Sequence, residues 1–194
     1  MKILKQHTLY NMLAIAIVLS FTNCKDKKVS VSSIFNCIEE TKLSNLKETK
    51  EPNGNFEIKI PENWKKEFFI SERESRLYFA DTTQELNHSY ITDIGLYQNK
   101  KVIDSVFFKN KLERIKNDTL LELINSGNMT FQEKPCYIFY TTQNKQNLEK
   151  STFEIYLQNR NRSYYLIKVD VYGNENKESR FCEALDLIEK GNFY

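Results

Sequence analysis

The sequence contains few of the residues on which common catalytic and metal-binding motifs are built. Of its 194 residues only two are histidine and five are glycine. The glycines are too scattered for a phosphate-binding loop or a nucleophile elbow, and they are Gly54, Gly95, Gly127, Gly173 and Gly191. No Cys-x-x-Cys or His-Glu-x-x-His pair occurs. His7 lies near the N-terminus, and His88 stands alone in a polar stretch, where an imidazole is more often solvated than catalytic. We therefore expect no metal and no other cofactor.

The chain also lacks an excess of either charge. It has 28 Lys and Arg against 26 Asp and Glu, and Lys2 and Lys5 precede Cys24, so the part from residue 24 onward carries 26 of each. A neutral domain has no general attraction to phosphates, and no nucleic-acid partner is expected. Its basic clusters are interpreted as solvated surface, and they are Lys65 with Lys66, Lys100 with Lys101, and Lys109 with Lys111, Arg114 and Lys116.

The N-terminal segment is typical of a secretory signal. It has a basic start, "MKILKQH", followed by an apolar run from Met12 to Phe21 without a charge. A helix that spans a bilayer needs about 20 apolar residues, and this run is much shorter. We predict that residues 1–23 are a signal peptide.

The junction "SFTNC" resembles the lipobox of bacterial lipoproteins, where a cysteine is acylated and the chain is cut just before it. Phe21 is bulkier than usual, as in the looser lipoboxes of Bacteroidetes, whose proteins the composition also resembles. The resemblance implies that Cys24 carries acyl chains such as palmitate and holds the protein on a membrane of the cell envelope. The alternative is a free cysteine beside an uncleaved anchor. The residue after Cys24 is Lys25, whereas lipoproteins retained in the inner membrane of enterobacteria have an acidic signal there. We therefore expect the protein to lie on the outer membrane, and whether it faces the periplasm or the cell surface stays open.

Residues 24–55 are predicted to form a tether, in which Ser33 either caps a short helix or belongs to an extended linker. From residue 56 the period-2 alternation of apolar residues predicts strands in "FEIKIPENW", "RLYFAD", "SYITDIGLYQ", "LLELINS", "MTFQEKPCYIFYTTQ", "STFEIYLQ" and "SYYLIKVDVY". Lys134 and Pro135 are expected to interrupt the fifth of these.

Two stretches have the spacing of amphipathic helices. The first contains Phe108, Leu112 and Ile115, with Asp104 or Ser105 as its N-cap. The second lies near the C-terminus and ends at Gly191, and its apolar stripe consists of Phe181, Leu185 and Ile188. Runs of strands with two separated helices indicate an α+β fold with a mainly antiparallel sheet.

The order of these elements resembles the PsbP-like superfamily over about residues 56–194. The likeness is carried by an Ile-Pro-x-x-Trp turn at residues 60–64, an aromatic strand pair that ends at Tyr172, and a terminal helix that closes on Phe193. It implies an α/β/α sandwich, in which a central, mainly antiparallel sheet has helices on both faces. The superfamily has no common catalytic motif, so no catalytic residue is transferred.

The other cysteines are Cys37, Cys136 and Cys182, which allow three single disulfide pairings. Cys136 with Cys182 is the pairing to test first, although both also fit small buried hydrophobic residues, the interpretation we favour.

For function we expect a non-enzymatic envelope lipoprotein that binds a protein partner or a small ligand. The alternative is an envelope hydrolase with carboxylates in a pocket. The candidate carboxylates, each more often a surface charge, are Glu122, Glu133, Glu149 and Asp170.

Overall fold

The structure, a computed structural model, describes residues 30–37, 43–99, 101–145 and 148–194. The signal peptide predicted over residues 1–23 and the lipidation predicted at Cys24 lie outside these ranges. Neither of the two α-helices in the described ranges has both the length and the apolar character needed to cross a membrane.

The described residues form ten strands, two α-helices and three short 3-10 helices. In chain order the strands are β1 (Leu46–Lys50), β2 (Phe56–Pro61), β3 (Lys65–Ile70), β4 (Glu74–Ala80), β5 (Tyr90–Tyr97), β6 (Glu122–Phe131), β7 (Lys134–Lys145), β8 (Leu148–Gln158), β9 (Tyr164–Tyr172) and β10 (Asn192–Phe193). The α-helices are α1 (Ser105–Asn117) and α2 (Lys177–Glu189), and the 3-10 helices cover Val31–Phe35, Leu86–His88 and Arg160–Arg162.

Seven strands form the central sheet, in the order β3-β4-β5-β9-β8-β7-β6, and every neighbouring pair is antiparallel. One row of aligned residues crosses five of these strands on the same face, and all five are aliphatic and at most 1% exposed: Leu77, Ile94, Ile167, Ile155 and Ile138. Because side chains alternate between the faces of a strand, this row defines the face that is buried in the main core.

Helix α2 and the small sheet of β1, β2 and β10 cover this buried face. The predicted stripe of Phe181, Leu185 and Ile188 is buried there. Helix α1 packs on the opposite face, where Phe107 and Ile115 join a second cluster with Phe139. The helices therefore lie on both sides of the sheet, and the predicted α+β sandwich is confirmed.

The N-terminal part belongs to the packed domain, so the prediction that the domain starts at residue 56 is wrong. Val31 and Phe35 are buried, and the Phe35 ring stacks on Phe181 with centroids 4.5 Å apart. Residues 31–35 form a 3-10 helix, in the stretch where either a short helix capped by Ser33 or an extended linker was expected, and β1 pairs with β2, where no strand was predicted. Contacts with residues far along the chain create these elements, and local spacing does not show such contacts.

A disulfide joins Cys37 to Cys182 across a sequence separation of 145 residues. The predicted pairing of Cys136 with Cys182 is therefore wrong. The favoured interpretation, that both are small buried hydrophobic residues, holds for Cys136, which lies in β7 with its side chain in the main core, 2% exposed, but not for the bonded Cys182. Burial raises the pKa of the Cys136 thiol to about 12, so the thiol stays protonated at neutral pH.

Strands β6 and β7 also differ from the expectation. Pro135 lies inside β7. The chain reverses before this strand, at Gln132 and Glu133, whose φ angles are 45° and 63°. Two adjacent left-handed residues give a tight hairpin turn that matches the twist of the strands, even though neither residue is glycine.

Arg180 is the buried cation that fixes the start of α2 on the sheet. Its Nη1 donates to the carbonyl oxygens of Ser89 and Tyr172, at 2.8 and 2.7 Å. Its Nη2 donates to the carbonyl oxygens of Gly173 and Glu175, at 3.0 and 2.8 Å. One guanidinium thus satisfies four backbone acceptors at the ends of two central strands and in the loop that leads to the helix.

Replacing Arg180 by Met is expected to lower the free energy of unfolding by about 2–4 kcal/mol, because four carbonyls lose a charged donor. Urea unfolding measures the change. The matched control is Arg73→Met, which removes an exposed guanidinium and should change stability by less than about 0.5 kcal/mol. Equal effects of the two substitutions would contradict the role of Arg180.

Replacing Cys37 and Cys182 together by Ala is expected to cost about 2–5 kcal/mol of stability, since the bond closes a long loop in the unfolded chain. Urea unfolding of the oxidised protein and the variant measures the loss. In unreduced, denatured protein, Cys136 should be the one residue of these three that reacts with a thiol reagent. Reaction at all three would show that no disulfide forms.

Candidate binding site beside the first helix

Helix α1 begins where its sequence predicts and covers one part of the sheet face opposite the main core. The Asp104 side chain caps it by accepting hydrogen bonds from the backbone N–H groups of Val106 and Phe107, at 3.0 and 2.9 Å. Phe107, which lies next to the predicted stripe, packs on the Tyr156 ring with centroids 4.9 Å apart. This contact places the first turn of α1 over β8.

Beside α1 the same sheet face carries a group of charged residues, which we call the charged strip. Its members are Arg76, Asp93, Lys150, Glu154, Lys168 and Asp170, three cations and three carboxylates. Asp93, Lys168 and Glu154 are aligned neighbours on adjacent strands, so the charges alternate across the sheet. Opposite charges at aligned positions stabilise such a sheet face.

Arg76 and Asp93 form the most enclosed pair of the charged strip. Arg76 Nη2 lies 2.5 Å from Asp93 Oδ2, and Asp93 is 2% exposed. The guanidinium also lies over the Tyr78 ring, at 4.7 Å from its centroid. Burial alone would lower the pKa of Arg76, but the Asp93 carboxylate outweighs it and raises the pKa. Gly95 makes room for this arrangement, because a Cβ there would lie 2.9 Å from Arg76 Cγ.

The other two carboxylates of the strip are also held by cations. Asp170 Oδ2 lies 3.1 Å from Lys150 Nζ and 3.0 Å from Lys168 Nζ. Burial disfavours the charge on Lys168, but the carboxylates of Asp170, Asp93 and Glu154 together outweigh it, and the pKa of Lys168 is raised. Glu154 Oε2 lies 2.9 Å from Lys111 Nζ, which reaches down from α1.

A cleft of about 500 Å³ opens between α1 and the loop that precedes it. We call it the α1 cleft, and its main lining residues are Lys101, Asp104, Phe107, Lys111, Arg114 and Tyr156. Lys101 Nζ lies 4.5 Å from the centroid of the Phe107 ring, and Lys111 Nζ lies 5.5 Å from that of Tyr156. Burial, and then the nearby charges of Arg114 and Lys111, lower the pKa of Lys101.

The structure does not bring the carboxylate candidates together. Glu149 binds Lys177 and Asn174 near the start of α2, at 3.0 and 2.8 Å, whereas Asp170 belongs to the charged strip. Glu122 lies in the outer strand β6, and Glu133 lies in the hairpin turn. Within the described ranges, no three His, Cys, Asp or Glu side chains are grouped closely enough to hold a metal ion.

The structure places His88 outside the α1 cleft, whereas part of the basic clusters lines the cleft. The His88 side chain is 46% exposed, and its Nδ1 lies 3.6 Å from Glu175 Oε2, away from the cleft. Lys101, Lys111 and Arg114 were interpreted as solvated surface, but the fold brings them to one cleft. The three-residue spacing of Lys111 and Arg114 places them on one side of a helix, and this was the available signal. The proximity of Lys101 depends on the loop.

Lys101 is expected to be acetylated faster than Lys65 by limiting acetic anhydride at about pH 8, because only the unprotonated amine reacts. The pKa of Lys101 is lowered, whereas the hydrogen bond to Glu67 raises that of Lys65. Mass spectrometry of the digested protein gives both rates. Arg114→Gln removes a neighbouring cation and should slow the reaction at Lys101 alone. Slower acetylation of Lys101 than of Lys65 in the unchanged protein would contradict the lowered pKa.

No protein-family model matches the sequence, and no curated protein matches it. Solved structures do share the fold. The solution structure of cyanobacterial PsbP from Synechocystis has a TM-score of 0.52 and 15% sequence identity, and the match covers 80% of this chain and 96% of that one. The Saccharomyces cerevisiae Ran-binding protein Mog1p has a TM-score of 0.50 and 11% identity, with 77% and 95% of the two chains covered.

A crystal structure from Bacteroides thetaiotaomicron also has a TM-score of 0.50 and 11% identity, and the match covers 77% of this chain and 49% of that one. Identities this low carry information about the fold alone. The chain therefore shares the α+β fold of these structures, and the fold implied by the resemblance to the PsbP-like superfamily is confirmed.

Proposed function

We propose that the protein is a cell-envelope lipoprotein, anchored to the outer membrane through acylated Cys24, whose folded domain is a non-enzymatic binding module. The α1 cleft is the binding site in this proposal. The observation that supports it is the open cleft lined by three cations and two aromatic rings. Concave sites with apolar walls and a few convergent polar groups are the usual form of ligand sites.

The carboxylates around the cleft favour binding over hydrolysis. Asp104 caps α1, Glu154 is paired with Lys111, and Asp170 is paired with two lysines. A glycosidase pair needs two carboxyl groups that face the substrate, whereas these three are engaged by helix N–H groups or by lysines. These carboxylates hold the cations and the helix in place, and they are poorly suited to the chemistry of a glycosidase pair.

The anchor part of the proposal rests on the junction at residues 20–28, "SFTNCKDKK". One myristoyl chain holds a protein on a membrane only marginally, at about 0.8 kcal/mol for each buried methylene. A diacylglycerol on the cysteine sulfur together with an acyl chain on its amino group gives stable attachment. A domain held in this way needs no apolar helix of its own.

Replacing Cys24 by Ala is expected to abolish labelling by a palmitate analogue and to block cleavage of the signal peptide, so that the protein migrates more slowly on a gel. Labelling of cells, followed by membrane fractionation, measures both effects. The matched control is Cys136→Ala, which removes a thiol inside the fold and should leave labelling unchanged. Unchanged labelling, mobility and membrane partitioning of the Cys24 variant would refute lipidation.

A further inference from the structure

We propose that the α1 cleft binds a small organic anion, in which a phosphate or carboxylate group contacts Lys101 and Arg114 and an apolar group lies against Val102 and Val106. The ligand is a soluble molecule that combines one negative group with a hydrocarbon or aromatic part. This inference deepens the proposed binding function by naming the chemical class of the ligand.

The distribution of charge in the cleft favours an anion. Lys111 is paired with Glu154, but neither Lys101 nor Arg114 has a carboxylate within 4.0 Å among the residues that the structure places. Asp104, the carboxylate that lines the cleft, has its Oδ1 engaged by two backbone N–H groups of α1. Two cations therefore face the same space without a counter-charge in contact, and a bound anion would relieve their repulsion.

The titration of Lys101 agrees with this picture. Burial and the charges of Arg114 and Lys111 lower its pKa, which means that the ammonium is less stable here than in water. A phosphate in the cleft would stabilise the charged form, so binding should raise the pKa of Lys101. Arg114 adds a planar guanidinium, whose N–H groups can bind two oxygens of one phosphate or carboxylate.

The apolar part of the ligand is inferred from the rim of the cleft. Val102 and Val106 are 50% and 61% exposed, although large aliphatic side chains gain free energy when they are covered. Phe107 and Tyr156 form another part of the wall of the same cleft. An aromatic or short hydrocarbon group placed here would cover both valines while its anionic group reaches the cations.

The volume of the cleft limits the size of the ligand. About 500 Å³ lies within the range of roughly 300–1,000 Å³ that holds small-molecule ligands in proteins. Because the cleft is open to water, we expect modest affinity. Because two cations line it, we expect a preference for a doubly charged phosphate over a singly charged carboxylate.

The test uses the full chain, purified in a neutral detergent, and three small probes that remain in water. Phenyl phosphate combines the two features of the ligand, inorganic phosphate has only the charge, and benzyl alcohol has only the apolar ring. Isothermal titration calorimetry gives the affinities. Backbone amide NMR shifts locate the site, and they are expected to change at the start of α1 and in the loop before it.

The variant Lys101→Gln with Arg114→Gln removes both cations from the cleft. Its matched control, Lys109→Gln with Lys116→Gln, removes the same charge from other exposed positions of α1. Phenyl phosphate is expected to bind more tightly than either of the other probes, and its affinity should fall at least about tenfold in the cleft variant and stay nearly constant in the control.

Equal losses in the two variants would overturn the proposal, because they would show general attraction to a basic helix. Equal affinity for benzyl alcohol and phenyl phosphate would also overturn it, as would the absence of binding to the unchanged protein. These outcomes are independent of lipidation at Cys24, since the probes reach the cleft whether or not the chain is acylated. A failed titration and a failed anchor are therefore distinguishable.

Discussion

A buried guanidinium holds the two central strands and the second helix in one arrangement, and much of the remaining structure depends on it. Arg180 donates to carbonyl oxygens where β5 begins and where β9 ends, so α2 can start only at that place on the sheet. The next two residues extend the same constraint. Phe181 stacks on Phe35, and Cys182 is bonded to Cys37. Three consecutive residues of α2 therefore have three roles. Arg180 fixes the start of the helix, Phe181 packs in the core, and Cys182 binds the N-terminal segment.

The two faces of the central sheet carry different kinds of side chain. Because side chains alternate along a strand, residues next to each other in the sequence lie on opposite faces. Leu77, Ile94 and Ile167 belong to the aliphatic row that builds the core. Their neighbours Tyr78, Asp93 and Lys168 form the adjacent row on the opposite face, which is aromatic and charged. Because the buried face alone holds most of the large apolar side chains, the other face is free to carry ion pairs and an open cleft. Substitutions of the exposed cations Lys101 and Arg114 should therefore have little effect on the main core, which is the property expected of a binding module whose specificity can vary on a constant fold.

Local periodicity predicted much of the fold because the strongest signals were the buried alternating strands and the two amphipathic helices. The alternation of Phe56, Ile58 and Ile60 predicted β2, and Asp104, one of the two residues predicted as the helix cap, is the one that caps α1. Strand β3 gave no such signal, since it lies at the edge of the sheet and its residues Phe68, Phe69 and Ile70 are exposed. The disulfide and the α1 cleft were out of reach for a different reason. Both depend on residues brought together by the tertiary fold, and a single sequence shows which cysteines and cations exist without showing which of them meet.

The position at which the N-terminal segment joins the fold has a consequence for the orientation of the anchored protein. Ser30 lies on the α2 side, where its hydroxyl donates to Glu189 Oε1 at 3.2 Å. In the proposed lipoprotein, the residues between Cys24 and Ser30 reach at most about 20 Å from the bilayer, whereas a domain of this size is about 40 Å across. Because the linker is shorter than the domain is wide, it restricts the rotation of the domain relative to the membrane. The α2 side would stay close to the lipid headgroups, and the α1 cleft would point away from the membrane into the surrounding water, open to diffusing molecules.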